Sequence, residues 1–152
     1  MTELISTINE IVRYGLTPNL LTADRNKLLE RSLVKIYNLY LDISFDIDDL
    51  EYQDSERIEY YIARQNVESN FKDFGLYRTL LGDIEDFDEN RNYGVGDAID
   101  DLTDIIFDLL EIKWRIENNS LNNGLEHFEL IFKIHTQQHI LDLLNYLKKK
   151  DS

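Results

Sequence analysis

Two histidines four residues apart, His135 and His139, lie in the C-terminal stretch "FKIHTQQHILDLL". Residues at positions i and i+4 of a helix are neighbours, so these imidazoles could hold one metal ion or one polar ligand between them. Both histidines continue an apolar stripe that includes Phe128, Phe132 and Leu143. Buried imidazoles need hydrogen-bond partners. The stripe therefore predicts either a structural histidine pair satisfied by facing helices, which is the commoner arrangement, or a ligand site.

Carboxylates that could complete such a site lie in the stretch "GVGDAIDDLTDIIFDLL". Asp100 and Asp104 are one helical turn apart, which is the spacing at which helical bundles bind Mg²⁺, Mn²⁺ or iron. Both lie at the edge of an acidic stripe, from which they could turn towards the protein interior. The candidate ligand set is therefore His135, His139, Asp100 and Asp104, and the candidate cofactor is a divalent metal ion.

The rest of this acidic stripe has a simpler interpretation. On a helix its members fall within an arc of roughly 100°: Asp97, Asp100, Asp101, Asp104, Asp108 and Glu111. The opposite face is broad and apolar, so it should be the face that packs on the core. Most of the acids are then expected to face water, and changing Asp101 or Asp108 to Asn should barely affect stability.

Two further acidic patterns suggest other chemistry. A calcium-loop spacing occurs at Asp86, Asp88, Asn90 and Asp97, although Arg91 stands where the loop needs glycine. Glu-x-x-Glu pairs like those of all-α nucleotide pyrophosphatases occur twice, at Glu56 and Glu59 and at Glu126 and Glu129. The chain contains no Glu-x-x-His pair, P-loop, Gly-x-Ser-x-Gly or dinucleotide motif. No enzyme class is indicated, and a non-enzymatic role is favoured.

The elements that must position these residues are helices. The chain has 152 residues with one proline and six glycines, and its apolar residues repeat at intervals of three and four. The pattern predicts helices at about 2–14, 22–44, 55–74, 97–117 and 121–147, with no strands. Short connections between them favour antiparallel packing. The expected fold is an all-α, single-domain, antiparallel bundle of four to five main helices.

Charge restricts the possible partners. The net charge is −14, from 30 acidic and 16 basic residues, which disfavours binding to nucleic acid or anionic membranes and favours a basic protein partner. A bacterial immunity protein uses an acidic surface in this way against a cationic toxin. The absence of cysteine, of a basic leader and of any long apolar run indicates a cytoplasmic protein.

Most of the chain from about residue 25 onward resembles a bacterial family of uncharacterised proteins, domain of unknown function 5063. The resemblance rests on "RQNVESNFKDFGLY", "GDAIDDLTDIIFDLL" and "HFELIFKIHTQQHILDLLNYL". It implies an all-helical fold and places His135 and His139 at the family's His-x-x-x-His pair. The family's relatives carry Trp-Gly inside that pair, where this chain has Thr136 and Gln137.

Two functions follow from these patterns. The favoured one is an acidic binding or interaction module, with an immunity-protein-like role among the possibilities. The alternative is a bundle that binds a metal ion or small ligand through Asp100, Asp104, His135 and His139. The sequence indicates no oligomeric state.

Overall fold

The computed structural model describes residues 2–83, 85, 87–88 and 92–151. The elements follow one another as α1 (Thr2–Leu16), α2 (Arg25–Leu41), α3 (Tyr60–Asn70), β1 (Leu76–Leu80), β2 (Tyr93–Asp97), α4 (Ala98–Asn118), α5 (Leu121–Ile131), a π-helical turn (Phe132–Thr136) and α6 (Gln137–Lys150). None of the helices in these residues is long and apolar enough to cross a membrane. The protein is a mostly helical bundle that carries a small two-stranded sheet.

Helix α4 lies at the centre of the bundle, because α1, α3, α5 and α6 all pack against it. Its apolar residues are buried: Ile99, Leu102, Ile105, Ile106, Leu109 and Ile112. Burying each such side chain stabilises the fold by roughly 1.5–3 kcal/mol. A helix enclosed on several sides leaves little surface for water. Part of its acidic face therefore also lies against neighbouring helices.

The sheet is a correction to the all-α expectation. Strands β1 and β2 pair antiparallel, with Leu76 opposite Asp97 and Leu80 opposite Tyr93. The alternation of polar and apolar residues did not predict these strands. The outward face of β1 carries apolar residues, among them Leu76 and Leu80, while Tyr77 turns inward. Gly96 permits this arrangement, since a Cβ there would overlap the Tyr77 ring. The hairpin thus places Tyr77 against the start of α4.

The chain between α2 and α3 is extended where the sequence pattern predicted more helix. Helix α2 spans Arg25–Leu41 rather than 22–44, and α3 spans Tyr60–Asn70 rather than 55–74. The connecting segment is fixed by side chains of the α4–α5 region: the Asp46 amide donates to Asn122, and Asp48 accepts from Ser120. These tertiary contacts outweigh the modest helical preference of the segment's ends.

The last predicted helix, 121–147, is interrupted by the π-helical turn Phe132–Thr136. Single π-turns inside helices occur often at functional sites, because the extra residue reorients the side chains around it. The turn contains His135 and Thr136, and their side chains reach the same carboxylate oxygen of Asp108. In this way a local irregularity brings two consecutive residues to one point on α4.

Gly124 sets how closely α5 approaches α4. A Cβ at this position would overlap the Ile116 side chain and lie 3.0 Å from the Ile116 amide nitrogen. We expect Gly124→Ala to lower the free energy of unfolding by about 1–3 kcal/mol, because the two helix backbones would have to separate. Urea denaturation measures this. Gly75→Ala is the control, since a Cβ there meets only the Tyr146 hydroxyl at 4.0 Å; equal losses for both variants would contradict the close packing.

Candidate metal centre

Two carboxylates of α4 hold the two histidines of the last helical segment. Asp101 Oδ1 lies 2.7 Å from His139 Nδ1, and Asp108 Oδ2 lies 2.7 Å from His135 Nδ1. An ionised carboxylate only accepts hydrogen bonds, so Nδ1 of each ring carries the donated proton. This assignment leaves Nε2 as the free nitrogen of each neutral imidazole. Metal-binding histidines in proteins are oriented in the same way by a carboxylate on the other nitrogen.

The two free nitrogens converge. His139 Nε2 lies 3.2 Å from His135 Nε2, and the rings meet edge to face. With the protons on Nδ1, each neutral ring directs a lone pair from Nε2, and two lone pairs at this distance repel each other. A positive charge between them removes the repulsion. The geometry is therefore stabilised by either a shared proton or a metal ion at this point.

Asp104 could supply a third ligand. Its Oδ2 lies 3.4 Å from His139 Nε2, and one ligand atom each from Asp104, His135 and His139 lie within 4.8 Å of one another. Around a tetrahedral Zn²⁺ ion with bonds of about 2.0–2.1 Å, neighbouring donor atoms are roughly 3.3–3.4 Å apart. The observed separations of 3.2 and 3.4 Å match that spacing. No other trio of potential ligands comes together among the residues that the structure describes.

Asp100, the fourth candidate, lies elsewhere. Its Oδ1 accepts a hydrogen bond of 2.7 Å from Arg64 Nε, and its side chain is 48% exposed. Arg64 also pairs with Asp97 and Glu68, so its guanidinium contacts two acids at the start of α4 and one on α3. The structure thus brings together three of the four predicted ligands and assigns Asp100 to an ion-pair network.

The expectation that the acidic stripe mostly faces water is wrong for its central members. The side chain of Asp108 is 12% exposed, and Asp101 as a residue is 5% exposed. Both lie against the last helical segment and bind its histidines. The periodicity of α4 located one apolar face correctly, but it could not show that α6 covers the polar face as well.

Two hydroxyls complete the support of the histidines. Tyr77 on the hairpin donates to Asp101 Oδ2, and Thr136 donates to Asp108 Oδ2 at 2.7 Å. Each carboxylate is therefore held by a hydroxyl as well as by an imidazole, which fixes its orientation. Neither residue was predicted. Thr136 interrupts the apolar stripe next to His135 and could have been noticed, whereas Tyr77 is brought near only by the hairpin.

The site alters the pKa values of its groups. Burial raises the pKa of the Asp104 carboxyl above its usual range, although the two histidines oppose this. The hydrogen bond to Asp101 raises the pKa of His139, and burial partly opposes it. Burial also raises the pKa of Tyr60, which is hydrogen-bonded to Asp104. Tyr60 therefore remains a neutral hydrogen-bond donor at the edge of the site.

A third histidine lies near α4 without joining the metal centre. His127 Nε2 is buried, makes no hydrogen bond to the described residues and lies 3.5 Å from Glu111 Oε2. Arg57 and Arg115 pair with the same carboxylate, so its charge is already compensated. Burial lowers the pKa of His127. The sequence pattern does not single out His127, because this residue lies beside the apolar stripe rather than on it.

The other acidic patterns do not form sites in the described part of the chain. Glu56 lies in the extended segment and Glu59 is the N-cap residue of α3, so they are not paired on one helix. Glu126 and Glu129 both lie on α5, and neither belongs to a group of three potential metal ligands among the described residues. Asp97 of the calcium-loop pattern is the N-cap of α4 and accepts from the Ile99 amide. Asp86, Asn90 and Arg91 of that pattern lie outside the described residues.

The comparison with known proteins shows a similarity of fold only. No family model matches the chain, and no curated protein matches it. Among solved structures, it is similar to protein BF1032 from Bacteroides fragilis, with a TM-score of 0.71 and 14% sequence identity over 99% of this chain and 91% of that one. At this identity the similarity shows a shared fold and carries no activity with it.

Asp101→Asn and Asp108→Asn should each lower the free energy of unfolding by about 1–3 kcal/mol. An amide in place of the carboxylate leaves a half-buried imidazole N–H without its charged acceptor. Urea denaturation of the metal-free protein measures the effect. Asp49→Asn is the matched control, because Asp49 is exposed and should change stability by no more than about 0.5 kcal/mol. Losses for Asp101→Asn and Asp108→Asn no larger than that of the control would show that these carboxylates face water.

The pKa values of His139 and His127 should be shifted in opposite directions. In the metal-free protein, NMR should show His139 titrating above its ordinary pKa of about 6.5 and His127 below it. Because the folded-state pKa of His139 is raised, its contribution to stability is fully present below about pH 6.5 and is lost as pH rises through the folded-state pKa. Asp101→Asn should bring the pKa of His139 down. A His139 that titrates below His127 would contradict the hydrogen-bond assignment.

Proposed function

We propose that this protein is a metal-binding helical bundle in which His135, His139 and Asp104 hold one divalent transition-metal ion. The observation that carries the proposal is the convergence of the two imidazole Nε2 atoms at 3.2 Å, each oriented by a carboxylate on the opposite ring nitrogen. When both rings are neutral, both Nε2 atoms are acceptors, and a cation between them is needed to relieve their repulsion. A metal ion uses both lone pairs and adds the Asp104 carboxylate.

The ligand set favours transition metals over Mg²⁺ and Ca²⁺. Imidazole suits zinc, iron, copper and nickel, whereas Mg²⁺ and Ca²⁺ prefer oxygen ligands throughout. Two histidines and one carboxylate form the ligand set of several zinc enzymes and of non-haem iron sites with open positions. We therefore expect Zn²⁺ or Fe²⁺ rather than the Mg²⁺ that an aspartate pair alone would suggest.

The geometry also leaves room for an exogenous ligand. The side chain of His135 is 42% exposed, so one side of the ion would face solvent. Metal sites with three protein ligands and an open position commonly bind water or substrate there, whereas purely structural zinc sites are closed by four protein ligands. This arrangement supports a site that binds and acts on a small molecule more than it supports a structural staple.

Added metal should raise the melting temperature of the metal-stripped protein. An ion that binds only the folded state, at about 100 times its Kd, stabilises a protein by about 2.7 kcal/mol, which is roughly 5–11 °C for a chain of this size. Differential scanning fluorimetry with Zn²⁺, Mn²⁺ or anaerobic Fe²⁺ measures the rise. His135→Ala should abolish it. A wild-type protein that responds to none of these ions would overturn the proposal.

Two carboxylate variants sharpen this test. Asp100→Asn should keep the full metal-induced rise, because Asp100 pairs with Arg64 and lies outside the ligand set. Asp108→Asn should weaken metal affinity by about 10–100-fold, because Asp108 orients His135 without touching the ion. Isothermal titration calorimetry measures the metal affinity of both variants. Equal affinities for both variants would show that the carboxylate behind His135 does not position it.

A second candidate function, binding to a basic protein, is favoured by the extended segment between α2 and α3. Seven of its acids are exposed: Asp42, Asp46, Asp49, Glu51, Asp54, Glu56 and Glu59. Ile47 and Leu50 are exposed among them and could add apolar contact. Binding through such a surface should weaken sharply as the NaCl concentration is raised, whereas metal binding at the half-buried centre should not.

Membership of the domain of unknown function 5063 family is likewise a proposal, and the shared His-x-x-x-His pair supports it.

A further inference from the structure

A groove runs between the hairpin and α6. It has a volume of about 710 Å³, and its walls include Arg78 and Leu80 from the β1 strand and Gln138, Asp142 and Lys149 from α6. This volume is typical of small-molecule sites. An adjoining cavity of about 280 Å³ shares Arg78 and Lys149. The two cavities are neighbours along α6.

The groove is a positively charged feature on an acidic protein. Arg78 and Lys149 line both cavities, and neither forms an ion pair with a residue in the described ranges. By contrast, Arg13, Arg25, Arg57, Arg64 and Arg115 each pair with at least one acid. Two uncompensated cations that face one cavity are suited to bind an anion.

Two side chains that line these cavities, Asp142 and Tyr77, also interact with groups of the candidate metal centre. Asp142 follows His139 by three residues, about 60° around the helix, and the charges of Asp101 and His139 both act on it. Tyr77, which donates to Asp101, lines the smaller cavity. Lys149 lies ten residues after His139, or about 15 Å along the helix axis. An elongated ligand could therefore reach the metal at one end and the two cations at the other.

The walls indicate the class of ligand. Leu80 and Leu81 are each about half exposed and give the groove an apolar side. The planar guanidinium of an arginine binds phosphate oxygens in pairs, and lysine adds a point charge. Asp142 opposes an anion in its immediate vicinity, but it lies only three residues after His139, whereas Lys149 lies ten residues after it, so Asp142 is displaced along α6 from the two cations.

We infer that the groove binds a small organic phosphate, whose phosphate group contacts Arg78 and Lys149 and whose apolar part lies along Leu80 and Leu81 towards the metal centre. This inference rests on the proposed metal-binding function and names the ligand class of the same site. A nucleic-acid partner fits less well, because the positive charge is confined to one groove on a chain of net charge −14.

The test uses phenyl phosphate, inorganic phosphate and phenol as probes of the full chain loaded with Zn²⁺. We expect phenyl phosphate to bind more tightly than either of the other two, and Arg78→Gln/Lys149→Gln to raise its Kd by at least about tenfold, as measured by isothermal titration calorimetry. The matched control is Arg31→Gln/Lys72→Gln, which removes the same charge from two exposed residues without ion pairs to the described residues. The control should bind like the wild type.

Several outcomes would overturn the inference. They are no binding of phenyl phosphate, an equal loss in the control variant, or NMR shift changes confined to His135 and His139 rather than extending to Leu80 and Lys149. The Zn²⁺-induced rise in melting temperature is measured on the same samples. If that rise is present while phosphate binding is absent, only the groove assignment fails. If phenyl phosphate binds in the groove without any metal response, the link to a metal centre fails together with the proposed function.

Discussion

The pairing of buried carboxylates on α4 with imidazoles on the last helical segment is the interaction on which the rest of the site depends. A carboxylate that is nearly removed from water costs several kcal/mol unless a charged or hydrogen-bonding partner compensates it. Asp101 and Asp108 are both nearly buried, and each finds an imidazole at 2.7 Å. Any sliding or rotation of α6 against α4 would break both contacts. The pairs therefore fix the relative position of two long helices.

The central place of α4 explains why its acids have different roles. On a regular helix, Asp101, Asp104 and Asp108 fall within about 60° of one another and face the histidines, while Asp100 lies about 40° beyond Asp104. That small rotation is enough to direct Asp100 to Arg64 on α3. One stripe of like residues is thus divided between an ion-pair network and the candidate metal centre. The division depends on which helix packs over each part of the stripe.

Irregular elements supply the fine positioning. The π-helical turn allows His135 and Thr136 to reach the same oxygen of Asp108, and the hairpin brings Tyr77 onto Asp101. Gly96 is needed for the second contact, because a side chain there would occupy the space of the Tyr77 ring. The hairpin also carries Arg78, so one strand supports the metal centre on one face and lines the groove with its next residue. Net charge says little about such a groove, since two cations without ion pairs to the described residues can dominate locally within an acidic protein.

The sequence by itself determined the helical character of the chain and the apolar faces of α1, α2 and α4. It also identified His135, His139 and Asp104 as candidate metal ligands. These follow from local periodicity, which is a property of neighbouring residues on one helix. The tertiary structure alone decided that Asp101 is buried and Asp108 largely covered, and that Asp100 pairs with Arg64 away from the histidines. It also decided that residues 76–80 and 93–97 form a hairpin and that Tyr77 supports the site. Each of these depends on which distant segment covers a given face, and a one-dimensional pattern of polar and apolar residues does not encode that choice.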